Sequence, residues 1–388
     1  SITPYGSTGP RATWHASDLC IMAAASPLSH TGDRDRPPLR LSAPQGFRFG
    51  AAATPAAVVL GLLDRARTGR GQWIDVSATE VAALATQAGL LAAGANAPVP
   101  QRSAGGAQVG PLSLQFVYPA ADGHVSITHV FGPAIGPATA ALIEWAHEEG
   151  HCSAELAAKD WIDFAIHVDQ GIESVETFEE SKRAITALTS SKTKAELLAG
   201  ARERRLLMAP IATTLDVMTD DHLAARGYYD EMIIPAEDGT PRTVRAPGVF
   251  AQASATPLVR LGAAPGLGEM DDADVSGRPS PGPSWGDPAA DGVLAGLKVL
   301  DFTWSIAGPH VTRVLADHGA TVVKVESETK MDAARGFMPI HDNEPGAEQS
   351  VLFDDMNAGK LSITLDMSRP EARYVARDLV KWADVVIE

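Results

Sequence analysis

The stretch that most limits the fold is LAGLKVLDFTWSIAGPHVTRVLADHGATVVKVES, residues 294–327. Lys298-Val-Leu-Asp-Phe302 and Ala320-Thr-Val-Val-Lys-Val325 are short apolar runs rich in β-branched residues, the kind buried on both faces of a parallel sheet. Between them, about Pro309 to His318 has helical spacing and room only for a crossover. Pro309 suits a first helical turn, where its missing N–H would have no partner, and Gly319 suits the end. Two strands joined by a crossover helix pair in parallel. Farther along, Ser368-Arg-Pro-Glu371 is expected to cap a helix to about Ala383, and Asp384-Val-Val-Ile-Glu388 to be a third strand. The last quarter of the chain thus reads as the opening of a parallel α/β sheet.

What precedes it has another rhythm. Gly277 to Gly292, GRPSPGPSWGDPAADG, carries four prolines among small turn residues and is read as a linker. The apolar run Ala51 to Leu63 stops at Asp64-Arg65, too short to span a bilayer, so a buried helix ending at Thr68-Gly-Arg-Gly71 is expected. Gln72 to Ser77 reads as a strand, and Ser77-Ala-Thr-Glu80 as a capping box for a helix to about Gly94. Residues 110–130 alternate as a strand pair around Ala121-Asp-Gly123, residues 137–225 have helical periodicity, and residues 228–260 return to strands around Glu237-Asp-Gly239.

A formal charge of -16 argues against nucleic acid, whose phosphates need a basic surface. The two cysteines, Cys20 and Cys152, are too few for a disulfide framework and fit a reducing, cytoplasmic setting. The first residues lack the basic and apolar regions of a signal peptide, and no membrane partner is expected. Open parallel sheets bind ligands at the carboxyl ends of their strands. That places the Thr303–Pro309 turn beside the Glu326–Arg335 loop, with Lys324, Lys330, Arg335 and Lys360 near in sequence. Two readings stay open there: a phosphate or nucleotide cradle, and a solvated charged loop. His15 and Asp18 are spaced as an acid–base pair on one helical face, or Asp18 simply belongs to a helix start. Glu148, Glu149 and His151 have no third ligand at metal spacing, and no metal is expected.

Leu297-Lys-Val-Leu-Asp-Phe-Thr303, Ala307-Gly-Pro309, Leu315-Ala-Asp-His-Gly-Ala320, Val323-Lys-Val-Glu326, Asp332-Ala-Ala-Arg335, Asn357-Ala-Gly-Lys360 and Ala383-Asp-Val-Val386 resemble, in order and spacing, the amino-terminal part of the family III CoA-transferases. That group includes formyl-CoA transferase, carnitine CoA-transferase (CaiB/BaiF) and α-methylacyl-CoA racemase. Gly6-Ser-Thr-Gly-Pro10, Asp18, Thr68-Gly-Arg-Gly-Gln72, Asp75-Val-Ser77, Pro119-Ala-Ala-Asp-Gly123, Pro247-Gly-Val-Phe250 and Ala264-Pro-Gly-Leu-Gly-Glu269 resemble the later part of such a module. The late part precedes the early part. A tandem fusion explains that order, as the end of one module joined to the start of a second, and so does circular permutation.

The resemblance implies an α/β fold with a Rossmann-like parallel sheet, a smaller α+β domain and an interlocked-ring architecture. It divides the chain into residues 1–110 (later part of a large domain), 111–230 (small domain), 231–276 (return segment), 277–293 (linker) and 294–388 (the Rossmann-like start of a second module). It also implies transfer of CoA from an acyl-CoA to a carboxylic acid through an aspartyl intermediate. The partners are then an acyl-CoA, a small carboxylate and a second module, as a homodimer or an intramolecular pseudo-dimer. The CoA-binding positions it implies are Ile306, Ala307, Ser327, Asp332, Arg335, Asn357 and Lys360. The chain departs from the pattern where the chemistry is most exacting. Counted back from Thr68-Gly-Arg-Gly-Gln72, the nucleophilic aspartate falls at Gly46, so this segment is expected to lack it and the catalytic carboxylate to come from elsewhere in the protein, with Asp18 the one alternative within the chain. Ile306 stands where glutamine is common, Ser327 where arginine is common, and the racemase histidine falls at Ser17. A racemase or epimerase, and a non-catalytic CoA-binding or dimerising half, remain as alternatives.

Overall fold

In a computed structural model, residues 1–133, 135–235, 240–248, 251–256, 292–344 and 346–388 are described. Most of the expected linker, the Glu237-Asp-Gly239 turn, the last two residues of Pro247-Gly-Val-Phe250 and all of Ala264-Pro-Gly-Leu-Gly-Glu269 lie outside them. The described chain forms two compact units: residues 1–117, 128–185 and 292–388 in one, and residues 118–127 and 186–256 in the other.

The first unit holds a four-stranded parallel sheet. Its strands are β1 (Lys298–Asp301), β2 (Thr321–Glu326), β3 (Leu361–Thr364) and β4 (Val385–Ile387), in the order β3-β2-β1-β4. Helix α1 (Ala307–Asp317) makes the crossover from β1 to β2, while α2 (Val351–Asn357) and α3 (Pro370–Trp382) lead into β3 and β4. Two steps go outward on one side of β1, and the chain then returns to its other side, so the winding reverses between β1 and β4. Val299, Val322, Ala320 and Leu294 form the buried core under the sheet. Leu60, from the amino-terminal segment, packs against that core. Residues far upstream of the proline-rich stretch and residues after it therefore share one unit.

β3 was not expected. Leu361-Ser-Ile-Thr364 is a short edge strand with Leu361 60% exposed, held by backbone pairing of Val323 with Leu361 and Val325 with Ile363. No side-chain alternation announces it. The expected cap at Ser368 also differs. Its hydroxyl donates to Asp366 Oδ1, and α3 begins at Pro370 without a side-chain cap.

Upstream, Ile2–Thr3 pairs in parallel with Val76–Ser77, so the strand expected from Gln72 shrinks to its last two residues. Ser77 Oγ accepts from Glu80 N at 3.4 Å, but the helix it starts is interrupted, as Ala78–Ala83 and Gln87–Gly94. The apolar run forms a helix from Gly46 to Thr68, stopped by Gly69 at φ +73°. At 23 residues it is long and apolar enough to cross a membrane, contrary to the shorter run expected. Its Gly46, Gly50 and Gly61 nevertheless lie against Ile21, Ala78 and Ile74 of its own unit. Only Gly46 and Gly50 of the helix are buried, and Val58, Val59, Leu62 and Leu63 stand exposed, so the buried helix expected from the apolar run is not what this chain shows: one glycine-lined face packs and the rest of the apolar surface is uncovered.

Two smaller cores complete the picture. In the first unit, His129, Phe131, Trp161, Phe164 and Phe178 stack with ring centroids 4.7–6.5 Å apart. The second unit holds a three-stranded sheet of Val117–Ala120, of which all but Val117 belong to it, Gly123–Ile127 and Met208–Pro210, joined by the helix Lys194–Arg204. That helix opens with a reciprocal capping box between Thr193 and Glu196.

Candidate functional site

The carboxyl edge of the sheet is built on a buried charge. Asp301 ends β1 and is fully buried. Its carboxylate accepts from Thr303 N at 2.8 Å, Thr303 Oγ1 at 2.5 Å, Thr312 Oγ1 at 2.6 Å and Lys360 Nζ at 3.1 Å. Burial pushes the Asp301 carboxyl up, but the Thr303 and Thr312 hydroxyls, the Thr303 amide and the Lys360 ammonium together hold it below the usual carboxylate value. Burial lowers Lys360 in turn, against the pull of Asp301. Lys360 also donates to Pro309 O and Asn357 Oδ1. One ammonium thus ties the end of β1, the start of α1 and the loop before β3 together.

A second buried pair lies next to it. Lys324 Nζ, on β2, donates to Asp332 Oδ2 at 2.9 Å and to Thr303 O at 2.9 Å. Asp332 Oδ1 accepts from Ser305 N and Ala334 N. Glu326 closes the set, taking Asp332 N and a two-pronged bond from Arg335. Arg335 also lies 3.9 Å from the centroid of the Phe353 ring.

Outside this network, at the carboxyl ends of the strands, is a cleft of about 770 Å³. Phe302, Trp304, Ser327, Lys330, Asp366 and Ser368 are among its walls. Lys330 Nζ stands 5.0 Å from the centre of the Trp304 ring. Glu326, shared with the buried network, and Glu388 also line the cleft, so with Asp366 its walls carry three acidic residues. The Trp304 ring and the Lys330 ammonium are the features that suit a ligand with a flat ring and negative charge.

The expected positions divide between these two environments. Ser327 lines the cleft, and Ile306 and Ala307 are exposed at the start of α1. Asp332, Arg335, Asn357 and Lys360 turn inward, into the bonds described above. Sequence reading missed Asp301, Thr303, Thr312 and Trp304. The available signal was Lys324, a lysine inside an apolar strand, which requires a buried partner.

The other candidates lie near the amino terminus. Asp18 accepts from Gln45 N at 3.1 Å and Phe47 N at 3.2 Å, so it caps the helix Gly46–Thr68. Ser17 caps the short helix Asp18–Ala24 through Cys20 N. A hydrogen bond from Ser17 holds the exposed Cys20 thiol below its ordinary value. His15 is exposed. A Cβ at Gly46 would stand 2.8 Å from Ile21 Cγ2 and 3.3 Å from Asp18 O, closer than ordinary contact. Among the described residues, no group of three or more His, Cys, Asp or Glu side chains is placed to hold a metal.

A parallel sheet with a winding reversal and a cleft at its carboxyl edge defines an open-sheet α/β protein. The family is more specific: the chain belongs to CoA-transferase family III, whose family model matches residues 1–271 and 294–388. It is 28% identical over 230 residues to "Succinyl-CoA:(R)-benzylsuccinate CoA-transferase subunit BbsE" of Thauera aromatica, covering 59% of this chain and 53% of that one. It is 26% identical over 404 residues to "Probable CoA-transferase Rv1866" of Mycobacterium tuberculosis, covering 100% of this chain and 46% of that one. The chain thus spans about half the length of these two relatives. A crystal structure of a CAIB/BAIF family protein from Brucella suis superposes with a TM-score of 0.51 at 23% identity, over 69% of this chain and 64% of that one. That likeness concerns the fold.

Proposed function

We propose that the protein moves CoA between an acyl-CoA and a carboxylic acid, and that this chain supplies the CoA-binding cleft and scaffold, with the nucleophilic carboxylate elsewhere. The observation that carries the proposal is the cleft itself, at the carboxyl edge of the sheet in a chain of this family. Trp304, Lys330 and Ser327 meet the CoA portion of the thioester, with Ile306 and Ala307 at its rim. Asp332, Arg335, Asn357 and Lys360 act from beneath, by fixing the loops that carry those groups.

In the proposed reaction an aspartate carboxylate attacks the thioester carbonyl and expels the CoA thiolate, leaving a mixed anhydride. The thiolate then attacks the aspartyl carbonyl, releasing the first carboxylate and leaving an aspartyl-CoA thioester. The incoming carboxylate reverses the two steps and departs as the new thioester. The name of the Thauera relative includes a succinyl-CoA donor and a carboxylate acceptor, and the same two substrate classes are proposed here.

The packing at Gly46 favours the reading that this chain lacks the nucleophile. The space a side chain would need is filled by Ile21 and the Asp18 carbonyl, and Asp18 is occupied as a cap. A second module, from another copy or a tandem partner, belongs to the same proposal. The test is incubation of the whole protein with an acyl-CoA and a carboxylate, hydroxylamine trapping, and mapping of the modified residue by mass spectrometry. A trapped aspartate outside residues 1–388 is expected. A trapped carboxylate within them would overturn the assignment.

A further inference from the structure

The turn from Thr303 to Ile306 is held more firmly than its exposed position requires. Lys324 and Asp332, 4% and 1% exposed, form an ion pair beneath it. Lys324 Nζ binds the carbonyl of Thr303, and Asp332 Oδ1 binds the N–H of Ser305. Trp304 is the residue between these two pinned peptide groups. Ser305 sits at φ +61°, a left-handed conformation that a non-glycine residue keeps only where its surroundings impose it. Well-packed apolar residues would serve stability as well as a buried ion pair does, so its distinctive contribution is geometry. That geometry fixes Trp304, a wall of the cleft, with Lys330 against its ring.

We propose that the Lys324–Asp332 pair is a positioning device for Trp304, which sets the affinity of the cleft for coenzyme A without touching it. The inference rests on the reading of the cleft as the CoA site. Calorimetric titration of the whole protein with coenzyme A tests it, using Lys324→Met/Asp332→Asn, Trp304→Ala and their combination. The double replacement leaves no unpaired buried charge, and thermal melts alongside report folding. Each variant is expected to lose about tenfold in affinity, and the combination no more than Trp304→Ala alone, because both changes act through one ring.

A general structural role predicts additive losses, about a hundredfold in the combination, and that result overturns the proposal. Loss of affinity in Trp304→Ala with none in the pair variant also overturns it, while leaving the CoA reading in place. If the wild type does not bind coenzyme A, or Trp304→Ala binds as the wild type does, the CoA reading fails and the positioning role falls with it. Should the double variant not fold, Lys324→Arg replaces it, keeping the charge on a planar head that cannot reproduce both bonds. It is expected to lose about threefold, a loss absent once Trp304 is alanine, and undiminished affinity overturns the proposal.

Discussion

Replacing Gly46 by alanine probes the packing that closes the expected nucleophile position. The new Cβ would stand 2.8 Å from Ile21 Cγ2 and 2.9 Å from Ile21 Cβ, whereas carbon atoms prefer about 3.5–4.0 Å. Ile21 is fully exposed to this strain because it cannot retreat: it is 0% solvent-accessible and packed against Ala25, Ala78 and Ala82. Overpacking of this kind costs about 1–3 kcal/mol. Alanine recovers at most about 1 kcal/mol through helix propensity and a less disordered unfolded chain. Taking the middle of that cost, about 2 kcal/mol, and the recovery in full, the net effect of Gly46→Ala is a loss of about 1 kcal/mol, or a fall of roughly 2–4 °C in thermal midpoint for a unit of this size. Circular dichroism melts measure it directly. Ile21→Ala alone should lose about 2–5 kcal/mol as a cavity opens, but in that background Gly46→Ala should be neutral or stabilising. Equal stability of Gly46→Ala and the wild type, with Ile21 intact, would refute the reasoning.

Three further outcomes are expected. Lys360→Met should destabilise the chain by about 3–5 kcal/mol in chemical denaturation, since it strands the Asp301 carboxylate, and adding Asp301→Asn should restore part of the loss. His129 is held neutral by burial first and Lys182 second, with its pKa lowered from 6.5 to about 3, so its stabilising effect is complete above 6.5 and is lost as pH falls toward 3. Denaturation curves over that window should show a decline on the order of 4 kcal/mol that His129→Phe largely removes. Arg102 donates to the carbonyls of Asp33, Arg34 and Arg36, and limited trypsin digestion should cut Arg102→Ala after Arg34 well before the wild type, Arg36 being protected in both by the proline that follows it.

The parallel sheet was legible because β1 and β2 are continuous apolar runs, a pattern that follows from burial on both faces. β3 was not, because an edge strand whose Leu361 faces solvent is specified by backbone pairing with β2 and not by its own side chains. The helix Gly46–Thr68 was legible from its apolar residues, but its start at a buried glycine depends on Ile21, 25 positions earlier (46 minus 21). The site was read in part. Lys330, Arg335 and Lys360 all look alike as basic residues near a strand end, yet the fold sends them to different ends. Asp301 meets Lys360 across 59 positions of sequence and Thr312 across 11, distances that only the βαβ winding closes. A cation near a strand end counts toward an anion site only after the carboxylates within its reach have been matched to it. Matching gives Lys324 to Asp332, Lys360 to Asp301 and Arg335 to Glu326. Among the described residues of the Glu326–Arg335 loop, that leaves Lys330, over the Trp304 ring, as the cation facing the cleft.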